Sequence, residues 1–371
     1  LYLTNSYQLS YNNFDLYFYK IGKKIFVTEN LKFWLAFSKI DGVGSIGLTD
    51  IYKHFGCMKE AWNASFLDWM SFSRLQKGTI EKFIEKRKKI NPDQLEEEIC
   101  SKEIQVITIQ DDNYPELLRE IYDPPGILFI KGDLNSCNLK HTLAIVGSRK
   151  CSLYIKDVIN SLVAEMHGTD ITIVSGMAAG VDTIAHKAAI KEGLKTIAVL
   201  GSGFDNIYPK SNVSLFKEIT EVNGAVISEY YPSIEPLAFR FPRRNRIVSG
   251  LSKGTLIAEA SLKSGALITA RLCLEQNREL MCIPGMVNNP NTAGTHQLLK
   301  NGAGLVTSFE DILNHMNWEY KGNSTEVNNS NKIELLDNEL KVYEIVSLDP
   351  TPIDKIVNNS TLNIGEIMVA L

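Results

Sequence analysis

Between residues 101 and 315 the chain repeats one pattern that few folds accommodate: short β-branched apolar runs, free of polar alternation, alternating with helical stretches. The runs are Val106–Ile109, Leu143–Val146, Ile171–Val174, Ile197–Leu200, Ala225–Ile227, Thr255–Ala258 and Met281–Ile283. A strand without polar alternation is buried on both faces, as in a parallel sheet covered by helices. Repeated strand–helix units with right-handed crossovers give a doubly wound, mostly parallel α/β fold. The chain has 371 residues, 44% apolar and 22% charged, which fits two or three domains and excludes a disordered or fibrous chain.

The flanks differ in texture. Residues 1–30 are aromatic and Asn-rich, without periodicity, and residues 31–100 read as a small helical domain. There Lys32–Ile40 and Ser45–Phe55 carry helical spacing on either side of the turn Asp41-Gly42-Val43-Gly44, and a charged helix over Thr79–Lys89 closes at Asn91-Pro92. The α/β domain occupies 101–316, a polar linker 317–338, and a tail 339–371 holds two small helices and the start of a third. The chain opens on Leu1, a start that is processed or not the natural one, with no basic segment and apolar run of a secretory signal. No stretch approaches eighteen apolar residues, so a membrane partner is not expected and a cytoplasmic location is. Six cysteines form no C-x-x-C pair, which fits free thiols in a reducing compartment. The net charge of −4 excludes a polycation but not a local basic groove.

Ligands of doubly wound sheets bind beyond the carboxyl ends of the strands. Five such ends here carry small residues: Gly147-Ser148-Arg149, Ser175-Gly176, Gly201-Ser202-Gly203 leading to Tyr208-Pro209-Lys210, Ser264-Gly265 after Glu259, and Pro284-Gly285. Glycine at any one of them is explained by a chain turn. Together, with cations at two of them, they suit close approach of an anion such as phosphate. The P-loop G-x-x-x-x-G-K-[ST], the G-x-G-x-x-G turn, the G-x-S-x-G elbow and H-E-x-x-H are all missing, so no catalytic residue, metal or cofactor is expected. Asp182 and His186, one helical turn apart, read better as a structural hydrogen-bonding pair than as metal ligands.

The strongest local signal is Phe239-Arg240-Phe241-Pro242-Arg243-Arg244-Asn245-Arg246. Four arginines fall within seven residues, two phenylalanines interleave, and no acid occurs from Leu237 to Lys253. Arginine binds phosphate bidentately, and aromatic faces stack on unpaired bases. A solvated charged loop is the usual explanation of such a run, but it leaves Phe239 and Phe241 without a role.

These residues, with Tyr114-Pro115-Glu116, Pro124-Pro125-Gly126, Met177-Ala178-Ala179-Gly180-Val181-Asp182, Ser228-Glu229, Glu259-Ala260 and Ala266-Leu267-Ile268-Thr269-Ala270, resemble the DprA/Smf family of bacterial DNA-processing proteins over roughly residues 32–315. The resemblance implies a Rossmann-like domain that binds single-stranded DNA, commonly as a homodimer, protects incoming DNA in natural transformation and helps load RecA recombinase. Carried over by motif, Arg149, Lys210, Arg243 and Arg246 meet DNA, and Phe239 or Phe241 stacks on a base. The turn at Gly42-Val43-Gly44 resembles a helix–hairpin–helix element in a scaffold or interaction role. The tail resembles a winged-helix appendage that stops at Leu371 inside its third helix, before any wing, so little DNA binding is expected of it. The alternative is a nucleotide phosphoribohydrolase of the LOG type. Lys253-Gly254-Thr255-Leu256-Ile257-Ala258-Glu259 lacks the Pro-Gly-Gly lead of the P-G-G-x-G-T-x-x-E motif and places its Glu one residue further on.

Overall fold

Among the described residues, six helices precede the sheet and are held together by aromatic side chains. The computed structural model describes residues 30–40, 43–72, 77–222, 224–320, 337–346 and 352–370. Helices α1 (Leu31–Ser38), α2 (Ser45–Phe55), α3 (Met58–Asn63), α4 (Phe66–Met70), α5 (Lys77–Arg87) and α6 (Pro92–Ser101) form this region. Six of the eight residues of α1 are buried, so it is the central rod. Its Phe37 ring meets Trp62 edge-on at 5.1 Å and stacks on Phe83 at 5.6 Å. Asn91-Pro92 does more than close α5. The Asn91 side chain accepts from the amides of Asp93 and Gln94 and caps α6, a helix absent from the sequence expectation because Ile99 alone is buried on it. Residues 1–29 of the expected segment 1–30, and the turn residues Asp41 and Gly42, lie outside the described residues.

Nine strands follow among the described residues: β1 (Gln105–Thr108), β2 (Ile127–Gly132), β3 (Thr142–Val146), β4 (Thr172–Ser175), β5 (Lys195–Leu200), β6 (Ala225–Ser228), β7 (Gly254–Ile257), β8 (Glu279–Cys282) and β9 (Gly304–Leu305). They form one sheet in the order β1-β2-β6-β5-β4-β3-β7-β8-β9. From β6 to β9 every pairing is parallel, while β1 and β2 add an antiparallel edge. This is the doubly wound, mostly parallel architecture that the apolar runs require. The seven runs correspond to β1 and β3–β8. Two strands, β2 and β9, were not among them.

The connecting helices are α7 (Glu116–Arg119), α8 (Leu153–Glu165), α9 (Val181–Lys191), α10 (Val213–Glu221), α11 (Arg240–Gly250), α12 (Ala266–Glu275), α13 (Ala293–Lys300) and α14 (Phe309–Met316). Strand β3 is where the winding reverses, with β4 on one side and β7 on the other. The crevice at its carboxyl end is the position where such sheets take ligands.

One continuous core runs from Leu31 to Cys282, joining the first six helices to the sheet. Residues Leu1–Glu319 constitute one unit. Polar contacts reinforce the join: the Tyr231 hydroxyl donates to Glu98 at 2.6 Å, Lys102 pairs with Asp205 at 2.7 Å, and the Lys39 ammonium lies 3.9 Å above the Tyr231 ring. The second unit, Tyr320–Leu371, has α15 (Asp337–Ile345), α16 (Ile353–Asn359) and α17 (Ile364–Ala370) around a small core of Val342, Ile356 and Ile367. Linker residues 321–336 lie outside the described residues.

Candidate nucleic-acid interface

Helix α11 brings together residues that are far apart in sequence. Its first turn lies over the end of β5, where a Cβ on Gly201 would stand 2.9 Å from the Phe241 ring, so only glycine admits Phe241 at this depth. Three groups meet that ring, the innermost being the Arg244 guanidinium at 6.0 Å. Tyr208 approaches at 5.4 Å between centroids, and the Arg149 guanidinium from the end of β3 lies 5.7 Å away. Tyr208 is 46% exposed, and Arg149 and Lys210 are exposed. Phe239, 65% exposed, stands just before α11, with the Arg240 guanidinium 5.4 Å from its ring and 5.2 Å from that of Tyr230. Aromatic faces and unburied cations thus share one surface at the sheet edge. Tyr208 belongs to the Tyr208-Pro209-Lys210 motif but is absent from the residues expected at the site; an aromatic two residues before a strand-end lysine is the signal that could have found it.

The four arginines of α11 do not act alike, and here the structure corrects the sequence reading. Arg244 is buried, donating to the carbonyls of Gly176 and Val199, with Nε 3.2 Å from Asn245 Oδ1. Burial lowers its pKa to about 10, which leaves it charged at neutral pH. Arg246 is also buried and forms a bidentate pair with Glu229 at 2.7 and 2.9 Å, while its Nε donates to the Asp123 carbonyl at 2.8 Å. Arg243 is partly exposed and lies 3.7 Å from Asp123 and 4.0 Å from Glu229. Arg243 and Arg246 face carboxylates and Arg244 answers the charge of Asp182, whereas the partly exposed Arg240 donates to the Glu235 carbonyl and lies beside the Phe239 ring. Arg244 and Arg246 therefore hold the helix in place instead of presenting cations to solvent.

Some of the small residues at the strand ends are likewise structural. The Ser175 hydroxyl is buried and donates to the Ile145 carbonyl at 2.7 Å. A Cβ on Gly176 would come within 2.7 Å of the Arg244 guanidinium and 2.8 Å of Asp182, and one on Gly147 within 2.7 Å of Val181. These two expected contacts, Ser175 and Gly176, are enclosed and make room for neighbours. Ser148 donates its amide to the Glu259 carbonyl at 2.8 Å, and its hydroxyl accepts from the Lys150 amide at 3.2 Å. Ser264 accepts from the Ala266 amide at 3.3 Å and, with exposed Gly265, begins α12 after β7.

A further residue that the sequence reading missed fixes Lys210. Asn212 ends the short 3-10 turn Lys210–Asn212, is buried, and donates to the Met177 carbonyl and to Thr183 Oγ1, both at 2.8 Å. Met177 has a left-handed φ of 58°, which costs a non-glycine residue about 1–3 kcal/mol and persists where neighbours fix it. The bond from Asn212 is one such constraint, and it couples the turn after β4 to the segment carrying Lys210.

The Asp182–His186 pair has separate structural partners. Asp182 accepts from the amides of Gly176 and Ala178 at 3.1 and 3.3 Å. Burial raises its pKa, and the charge of Arg244 and these amides oppose the rise. His186 Nδ1 meets Thr196 Oγ1 at 2.7 Å, and that hydroxyl donates to the Ile173 carbonyl at 2.9 Å. The imidazole must therefore be the donor to Thr196, which makes Nδ1 the protonated nitrogen. Burial drives its pKa down to about 3.

At the reversal point beside β3, Glu259 is fully buried, and its Oε2 accepts from the Ser152 hydroxyl at 2.7 Å and amide at 3.2 Å. Ser152 is the N-cap of α8. A protein carboxylate thus occupies the helix start that would otherwise attract an external anion.

Two outcomes follow from this burial. Arg244→Ala removes the cation opposing the burial of Asp182, and Arg246→Ala removes the bidentate partner of Glu229. Each should lower stability by about 3–5 kcal/mol, seen as a large drop in Tm. An unchanged Tm would mean that these arginines do not hold α11. His186 is neutral when folded and titrates near its ordinary value when unfolded. The unfolded state then binds the extra proton between about pH 6.5 and pH 3, so stability falls as pH falls through that window. His186→Asn keeps a donor near Nδ1 and removes the titration. Its Tm should vary less between pH 6.5 and 4.5 than that of the parent, and an equal decline would assign the pH dependence to other groups.

Known proteins share this arrangement's sequence and fold. The sequence profile of the family described as DNA recombination-mediator protein A matches residues 105–317. The chain is 44% identical over 211 residues to Protein Smf of Escherichia coli, covering 57% of this chain and 56% of that one, so it spans little more than half of that relative. It is 43% identical over 223 residues to DNA processing protein DprA of Streptococcus pneumoniae, covering 59% of this chain and 78% of that one. It is 37% identical over 288 residues to Protein Smf of Synechocystis, covering 76% and 71%. The X-ray structure of DprA from Streptococcus pneumoniae aligns with a TM-score of 0.67 and 35% identity, covering 76% of this chain and 97% of that one. A structure of DNA processing protein A from Helicobacter pylori, described for its unique single-stranded DNA binding mode, aligns with a TM-score of 0.52 and 32% identity over 58% and 97%. With a profile matched across more than half its length and relatives above 30% identity over more than two thirds of theirs, the chain belongs to the DprA/Smf family of DNA-processing proteins.

Proposed function

We propose that this protein binds single-stranded DNA along the carboxyl edge of its parallel strands, without catalysis, as a mediator of recombination. The observation that carries the proposal is that Tyr208 and Arg149, from two other segments of the chain, both come within 6 Å of the Phe241 ring. Stacking faces reach bases only when these are unpaired, and adjacent cations meet the phosphates. The Helicobacter pylori relative, described as binding single-stranded DNA, supports the same reading. Protection of incoming DNA, loading of RecA recombinase, homodimerisation and a cytoplasmic setting belong to this proposal through family membership.

The competing reading, a nucleotide hydrolase, calls for a nucleotide phosphate at the reversal point. The Glu259 side chain at the start of α8 opposes that reading, because it already takes the Ser152 amide and hydroxyl that would hold a phosphate. Absence of base release from nucleoside monophosphates is the expected assay result, and steady release would revive the enzyme.

A gel-shift series over several salt concentrations tests the main reading. Single strands should bind more tightly than duplex, and equal or tighter duplex binding would defeat it. Arg149→Ala and Lys210→Ala should each flatten the slope of log K against log salt by about 0.7 with Tm unchanged. Arg243→Ala should flatten it less, because Asp123 and Glu229 already offset its charge. Equal slopes in all three variants and the parent would place the DNA elsewhere.

Stacking is separable from charge. Phe239 is exposed, so Phe239→Ala should leave Tm intact and isolate its stacking contribution. Phe241 packs on Gly201 and Tyr208, so Phe241→Ala should lower both Tm and affinity. Each lost base contact costs about 1–3 kcal/mol and persists at high salt. The deficit should disappear on abasic strands. The same fractional loss on abasic and normal DNA would rule out stacking.

A further inference from the structure

The sheet edge continues past Arg149 onto a second surface of mixed apolar and cationic character. Four residues beyond it, Leu153 is 77% exposed, and Tyr154 beside it is also exposed. The Tyr154 hydroxyl donates to the Pro284 carbonyl at 3.2 Å, which ties the start of α8 to the loop after β8. That loop then presents Met286 and Val287, the latter 92% exposed. Leu262, in the turn after β7, is exposed as well. Neighbouring strands bring these turns together: Ser148 bonds to Glu259, and the Gly294 amide donates to the Ala260 carbonyl, which seats the start of α13 on the turn after β7. None of these apolar residues belongs to the Tyr208–Phe241 cluster.

The charge of this surface says what would cover it. Across residues 149–157, 261–264 and 284–292 the charged side chains outside the buried Glu259 are Arg149, Lys150, Lys156 and Lys263, against Asp157 alone. The chain as a whole carries −4, so this is a local reversal of sign. Apolar side chains interleaved with cations suit an anionic polymer with stackable bases more than an uncharged protein face. Tyr154 is five residues from Arg149, at most about 18 Å of extended chain, so one strand of DNA reaches both.

We propose that this face is a second station for the same single strand, with Tyr154 and Met286 against bases and Lys150 and Lys156 toward phosphates. The proposal rests on the single-strand reading of the Tyr208–Phe241 site and extends its length. Oligothymidylates of increasing length, measured by fluorescence anisotropy against the parent, Tyr154→Ala, Tyr154→Phe, the Lys150→Ala/Lys156→Ala pair and Arg149→Ala, test it. In the parent, affinity should rise with length until both stations are filled. Tyr154→Ala and the lysine pair should match the parent on the shortest strands and bind long strands about tenfold more weakly, the equivalent of one lost base stack. Tyr154→Phe keeps the ring, loses the bond to Pro284 and should behave as the parent on long strands. Arg149→Ala should lose affinity at every length. If Arg149→Ala weakens binding while Tyr154→Ala and the lysine pair bind long strands as the parent does, the second station is wrong and the first stands. If Arg149→Ala also binds as the parent does, the underlying reading fails with it. A change of mass by sedimentation in Tyr154→Ala, with no change in length dependence, would assign the face to a second copy of the chain and overturn the proposal.

Discussion

The geometry of the sheet edge depends on the guanidinium of Arg244. It reaches from α11 to the carbonyls of Gly176 at the end of β4 and Val199 in β5, and it opposes the burial of Asp182 on α9. A buried cation is stable only where neighbours answer its charge and its N–H groups. Two carbonyls, a carboxylate and the Asn245 side chain do so here. The same contact explains Gly176, since any Cβ there would meet the guanidinium. With Arg244 directed inward and Arg246 paired with Glu229, α11 has a fixed rotation about its axis. Phe241 then rests on Gly201, and Arg240 lies by the Phe239 ring. A disordered loop with the same eight residues would hold neither aromatic in a defined place.

The sheet was legible because its signal is thermodynamic. Strands buried on both faces must be continuously apolar, and seven runs displayed that. Strand β2 is as apolar as the others, but it follows Pro124-Pro125-Gly126, where turn chemistry dominates the local reading, and it lies on the antiparallel edge. Strand β9 has two residues, too few to carry any period. Helix α6 was hidden for another reason: its sequence is polar and its position is set by the Asn91 cap and by Glu98 reaching Tyr231.

The site was legible as a set of residue types and not as a division of labour. In sequence, Arg240, Arg243, Arg244 and Arg246 are four equivalent cations. What separates them is the location of Asp123, Asp182 and Glu229, which are between about ten and more than a hundred residues distant in neighbouring elements or loops, together with the angular phase of α11. Asn212 shows the same limit. An asparagine after Lys210 is unremarkable until the fold brings Met177 and Thr183 to its amide.

These placements decide which charges act on a ligand. A cation with a buried carboxylate partner contributes little field outside, because the pair is close to neutral and the ligand meets its dipole. Arg246 is of this kind, and Arg243 partly so. Glu259 makes the complementary arrangement, occupying the Ser152 amide where α8 could draw an anion inward. The N-cap amide of α8 is thereby taken by the protein itself, while the exposed cations Arg149 and Lys210 and the partly exposed Arg240 stay at the surface. A mononucleotide needs an enclosed crevice to be held, whereas a polymer gains from several weak contacts along an open edge. The buried charges therefore favour an extended strand on the outside of the fold over a small nucleotide within it.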